Sequence, residues 1–158
     1  MAKRSHDEIR IRGFARVQLG DRRGRVVGDS GWFQNLLTTD NGGGRTAYIA
    51  AKVGDVTGSK TPSHLCLATQ TDTMSATQTV MIGETRVRKA LTASTIATGT
   101  LRMTASWSSN DNTAAITIGA IGVHNHLTTG TLAAGAIFNT SQWASNQDVS
   151  ATYEWRFA

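Results

Sequence analysis

His124-Asn125-His126 is the constellation in this chain that comes nearest to metal chemistry. On a β-strand, residues two apart point to the same side, so the two imidazoles could share one ion. His64 and Cys66 repeat the spacing and could in principle complete four ligands. His-x-His also arises easily by chance, and neither Cys-x-x-Cys nor His-Glu-x-x-His is present. The expectation is a surface loop after Val123, with no metal and no cofactor.

Other chemistry fares no better. Asn41-Gly42-Gly43-Gly44-Arg45-Thr46 has the glycines of a phosphate loop but lacks its Lys, and no helical pattern follows it. There is no Gly-x-Ser-x-Gly elbow, and Cys66 lacks the flanking pattern of a cysteine protease. No two of the 11 carboxylates are marked out as an acid–base pair. The chain reads as a protein without an enzymatic centre.

Binding chemistry is better represented. Residues 1–25 hold eight basic side chains against three acidic ones, whereas the remaining 133 residues hold eight of each. The whole net charge of +5 therefore lies in the first sixth of the chain. Such a segment suits an anionic partner, and Arg10, Arg12, Arg16, Arg22, Arg23 and Arg25 are its candidate contacts. A solvated edge strand whose charges oppose aggregation would carry the same residues. Of the tryptophans, Trp107 and Trp155 fall on the apolar parity of their segments and read as core. Trp143 lies in the polar run from Asn139 to Gln147 and reads as exposed or at an interface. Single-strand nucleic-acid binders carry several aromatics on a basic face, and Glu8 to Arg16 carries one, Phe14. Nucleic acid is the less favoured partner, and a carbohydrate-binding module using Trp143 is a further alternative.

These residues must be positioned by strands. Charged residues are 17% of the chain and Pro occurs once, which argues against disorder. With 16 Gly and 23 Thr, the composition is not that of a helical bundle either. Ile9, Ile11, Val17 and Leu19 alternate with Arg10, Arg12, Arg16 and Gln18, and Gly20 to Gly24 is a turn signal. The first 28 residues thus predict a basic β-hairpin, with a bulge at Gly13 where Phe14 breaks parity. Further strands are expected at Tyr48–Val53, Leu65–Ala68, Glu84–Leu91, Leu101–Trp107, Ile116–Val123 with a bulge at Gly119, Leu132–Phe138 and Val149–Phe157. Thr69 to Thr79 reads as an extended connection. Many short strands with no 3.6-residue period predict a single all-β domain over residues 1–158, an antiparallel β-sandwich of jelly-roll type.

Met1 to Glu8 is charged and is followed by no apolar stretch of signal-peptide type. The longest apolar runs are about half what a membrane helix needs. One cysteine excludes an internal disulfide framework and suits a reducing cytoplasm.

The order of segments resembles the small β-structured virion proteins of tailed bacteriophages, a group that includes capsid cement (decoration) proteins and short tail or fibre-associated proteins. The likeness runs through Gly31–Thr38 after the basic hairpin, Tyr48–Gly54, Ile116–Val123, Gly130–Phe138 and Asp148–Phe157. It is a likeness of pattern spread over most of the chain. The resemblance implies a non-enzymatic structural protein of the virion, made in the bacterial cytoplasm and acting as a homo-oligomer, commonly a trimer. Its partners would be its own copies and the major capsid protein or other virion subunits, with no membrane involved. A cement protein fits better than a tail or fibre-associated one, because the chain shows no shaft repeats, heptads or receptor-binding insertion.

Overall fold

Alternating side chains in the first basic segment form a strand because one parity is apolar and the other is not. In the computed structural model, which describes residues 11–38, 61–97 and 99–157, this is β1 (Ile11–Gly20). Ile11, Ala15, Val17 and Leu19 point inward, and Arg12, Phe14, Arg16 and Gln18 point outward. The tip returns through Asp21 into β2 (Val26–Asp29), and the Asp21 carboxylate accepts the backbone N–H groups of Arg23 and Arg25 at 2.8 and 2.9 Å.

No bulge occurs at Gly13. β1 pairs residue for residue with β11 (Asp148–Phe157), from Ile11 opposite Phe157 to Gly20 opposite Asp148. Phe14 keeps strict parity and lies on the outer face. Gly13 serves a different need: a Cβ there would sit 1.8 Å from Oδ1 of Asn35. The chain crosses between sheets at Asn35, from β3 (Phe33–Gln34) beside β1 to β4 (Leu36–Leu37) beside β10 (Leu132–Trp143). The Asn35 N–H donates to the Gly13 carbonyl at 3.0 Å, and its side chain donates to the Tyr153 hydroxyl in the core.

The remaining elements are β5 (His64–Ala68), β6 (Glu84–Ala90), β7 (Thr92–Ala97), β8 (Thr100–Trp107), a short 3-10 turn (Ser109–Asp111) and β9 (Ile116–His124). The first sheet runs β2-β1-β11-β8-β7, and β3 pairs the same edge of β1 as β2, farther toward its start. The second runs β4-β10-β9-β5-β6, and all pairs are antiparallel. The all-β antiparallel sandwich expected from the sequence is the observed fold. Expected segments at Tyr48–Val53 and around Gly42–Gly44 lie outside the described residues.

The main core lies between the sheets and is built from Val17, Leu65, Leu67, Met103, Trp107, Ile121, Tyr153 and Trp155, among others. Trp143 belongs to it too. Its side chain has no exposed surface, contrary to the expectation of an exposed interface aromatic. The reason is that β10 continues past Phe138 into the polar run as far as Trp143. Asn139 and Thr140 project outward where the β9–β10 register shifts, and Trp143 returns inward opposite Ile116. Its indole N–H finds the Gln147 carbonyl at 2.8 Å, which lets the ring be buried without an unpaired donor. The same register shift lies opposite Gly119, where the expected change of parity occurs.

A second, smaller core covers the outer face of the second sheet. Cys66, Ala68 and Ala120 face away from the sandwich and are roofed by Met74 and Met81 from the connection between β5 and β6. That connection is tied down at Thr69 N–H to Gly83 carbonyl (2.9 Å) and Leu132 N–H to Thr79 carbonyl (2.8 Å). Gln70 organises it from inside, accepting from Gln78 and from the Ile82 N–H. Gly122 makes the close approach possible, since a Cβ there would meet Met81 Cγ at 2.6 Å and Leu132 Cδ1 at 2.8 Å.

Candidate functional site

The strand parity that buries Val17 and Leu19 also sorts the arginines. Arg12 and Arg16 stand on the outer face of the first sheet, while Arg22, Arg23 and Arg25 are exposed around the hairpin tip. Arg10 lies outside the described residues. Two of the five are already engaged. Arg16 grips Asp29 across the β1–β2 pair, with Nε donating to Oδ1 at 2.9 Å, and its guanidinium holds the Asp29 carboxyl well below the ordinary range. Arg25 donates from Nε to Asp21 at 2.7 Å. Among the described residues, Arg12, Arg22 and Arg23 have no carboxylate partner, so their donors face outward.

Two arginines that the charge distribution along the chain did not single out join this face. Arg156 on β11 is opposite Arg12, and Arg102 on β8 is opposite Glu154. Both donate to Glu154, Arg102 from Nη2 to Oε1 at 2.6 Å and Arg156 from Nη2 to Oε2 at 2.8 Å. The Arg156 guanidinium also covers the Phe14 ring, 4.3 Å from its centroid, a cation–π contact. Burial would raise the pKa of Glu154, but the hydrogen bonds from Arg156 and then Arg102 outweigh it and hold the carboxyl below its usual value. The carboxylate is 2% exposed and charged. It acts as a keel that sets the Arg102 and Arg156 guanidiniums side by side, and strand pairing places Arg12 beside Arg156 on the same outer face. No run of sequence reveals this, because Arg12, Arg102 and Arg156 meet only through strand pairing.

The histidines are placed differently from the expectation. His124 ends β9 with no exposed surface, and His126 is exposed two residues later, beyond the strand, where the Thr128 and Thr129 N–H groups donate to its Nδ1 at 3.3 Å. The two imidazoles therefore share no face. His64 does lie opposite His124, in the β5–β9 pair, with its Nδ1 2.7 Å from the Ser63 hydroxyl. What gathers at His124 is Cys66 from the neighbouring strand and Glu84 from the strand after that. Burial, followed by the nearby Arg88 cation, pushes the His124 pKa down to about 4, so its ring is neutral at pH 7. Burial likewise pushes the Cys66 thiol up.

Comparison with protein-family models, curated proteins and solved structures finds no match. Function is therefore argued from this geometry and from the pattern of the chain.

Proposed function

We propose that this chain is a non-enzymatic structural protein of a tailed-bacteriophage virion, working as a capsid cement protein that bridges neighbouring shell subunits. The observation that carries this reading is the arginine face of the first sheet. A cement protein must hold a large, nearly flat protein surface without distorting, and a two-sheet sandwich with a continuous ten-residue pairing of β1 and β11 is a stiff platform for that task. Guanidinium groups fixed by Glu154 and Asp29 present planar donors whose remaining N–H groups suit carboxylates on a partner. Arg12, Arg22 and Arg23 add outward donors along the strand and at its tip. Attraction of this kind governs encounter rate and orientation, and so it weakens with salt. Contact between copies, as a trimer, would supply the rest of the buried area.

The test is occupancy on empty heads assembled from the shell protein encoded with this chain. The variant Arg12→Ser/Arg22→Ser/Arg23→Ser changes exposed side chains without touching the core. It is expected to lose about tenfold in affinity at ~0.15 M salt, since three rim charge pairs at roughly 0.5 kcal/mol each sum to about 1.4 kcal/mol. Unchanged occupancy would remove the arginine face from the account. Retention on single-stranded DNA with no binding to heads would assign the same face to nucleic acid.

A further inference from the structure

The outer face of the second sheet holds a group of side chains that packing alone does not explain. His124 is fully buried, and neither of its ring nitrogens has a hydrogen-bond partner among the described residues. Proteins ordinarily pair such groups, because a buried donor or acceptor left alone is destabilising. Cys66 on β5 and Glu84 on β6 converge on the same ring. One ligand-capable atom from each of the three lies within 4.8 Å of the others, and His124 Nε2 is 4.0 Å from Glu84 Oε2.

We propose that Cys66, Glu84 and His124 form a binding site for one divalent transition-metal ion of the zinc class. Thiolate sulfur, imidazole nitrogen and carboxylate oxygen are the donors such an ion accepts, whereas Mg²⁺ and Ca²⁺ prefer oxygen alone. With metal–ligand bonds of about 2.0–2.3 Å, tetrahedral ligands sit roughly 3.3–3.8 Å apart. The three groups must therefore close by about 1 Å, a movement within reach of Glu84, whose long side chain lies on the edge strand and is 22% exposed. That partial exposure also gives an ion its way in.

Arg88 completes the arrangement. It is 7% exposed and donates Nε and Nη2 to the two Glu84 oxygens at 2.6 and 2.9 Å. Its Nη1 donates to the carbonyls of His126 and Thr129 at 2.9 and 2.7 Å. The guanidinium thus orients the carboxylate while leaving each oxygen a second lone pair, the role an outer partner plays around a bound metal. On binding, the Cys66 S–H proton passes to solvent as the sulfur–metal bond forms, and nothing is oxidised or reduced. Three protein ligands leave a fourth position for water. The ion would tie β5, β6 and β9 together across the outer face, independently of what the arginine face binds.

The experiment titrates the full-length, reduced, chelator-treated protein with Co²⁺ and then with Zn²⁺. One equivalent of Co²⁺ is expected to give tetrahedral d–d bands and a thiolate-to-cobalt charge-transfer band, both removed by one equivalent of Zn²⁺. Cys66→Ser should abolish the charge-transfer band. Glu84→Gln keeps the side-chain shape at the sheet edge and should weaken Co²⁺ binding at least about tenfold while keeping that band, which gives a readout even where Cys66→Ser does not fold. His126→Ala should change nothing. The proposal is overturned by the absence of stoichiometric binding, by a Co²⁺ spectrum without sulfur ligation, or by affinity that follows His126 in place of Glu84.

Discussion

Glu154 shows how one residue can organise a face. Its carboxylate is nearly inaccessible, yet its two partners, Arg102 and Arg156, have side chains 38% and 50% exposed. The carboxylate side of each pair is buried and the guanidinium side is wet, so the interaction is weaker than a fully buried pair. Glu154→Gln is expected to cost about 1–2 kcal/mol at neutral pH, the range for hydrogen bonds to charged groups after allowance for solvent screening. Because the folded carboxyl titrates below its unfolded value, this contribution is present above about pH 5 and is lost as pH falls through the folded pKa. The stability gap between wild type and Glu154→Gln, measured by urea denaturation from pH 7 downward, should therefore narrow in acid. A gap constant with pH would mean that the charge of Glu154 is not what the arginines hold.

Elements decided where the tryptophans went. β10 was expected to stop near Phe138 and instead runs to Trp143, because the polar residues after Phe138 project from the register shift and the ladder resumes beyond them. Hydropathy sees a loop in Asn139 to Gln147, but pairing with β9 continues the strand as far as Trp143, and only residues 144–147 turn. Trp107, Trp143 and Trp155 are buried in the main core, and Trp32, 44% exposed, sits just before β3. Acrylamide should quench Trp32 selectively, so Trp32→Phe is expected to abolish most quenching. Trp143→Ala should destabilise the fold by about 3–5 kcal/mol, as other large core truncations do. A near-neutral Trp143→Ala in thermal or urea unfolding would contradict its burial.

For the molecule as a whole, the strands that end each sheet among the described residues bear on assembly. β2 and β7 flank the first sheet and β4 and β6 the second, and Val26, Val27 and Trp32 are exposed near the β2 edge. In the proposed cement role the protein would bury area against its own copies as a trimer, and size-exclusion chromatography with light scattering should then report three times the chain mass of 16.8 kDa. A species that remains monomeric at high concentration would remove self-assembly from the proposed function.

What could be read from the sequence alone was whatever depends on period and local composition. Alternation in Ile11–Leu19, Leu101–Trp107 and Val149–Phe157 identified strands and their buried sides, since a side chain's face follows directly from the two-residue repeat. The basic hairpin was legible for the same reason. Only the tertiary structure brought Arg12, Arg102 and Arg156 to one surface, carried Trp143 inward and placed Cys66, Glu84 and His124 together. Each of those depends on which strands pair and in what register, and register is set by packing between residues far apart in the chain. The bulge expected at Gly13 failed on that point too: its missing side chain serves Asn35, a neighbour that no local pattern could supply.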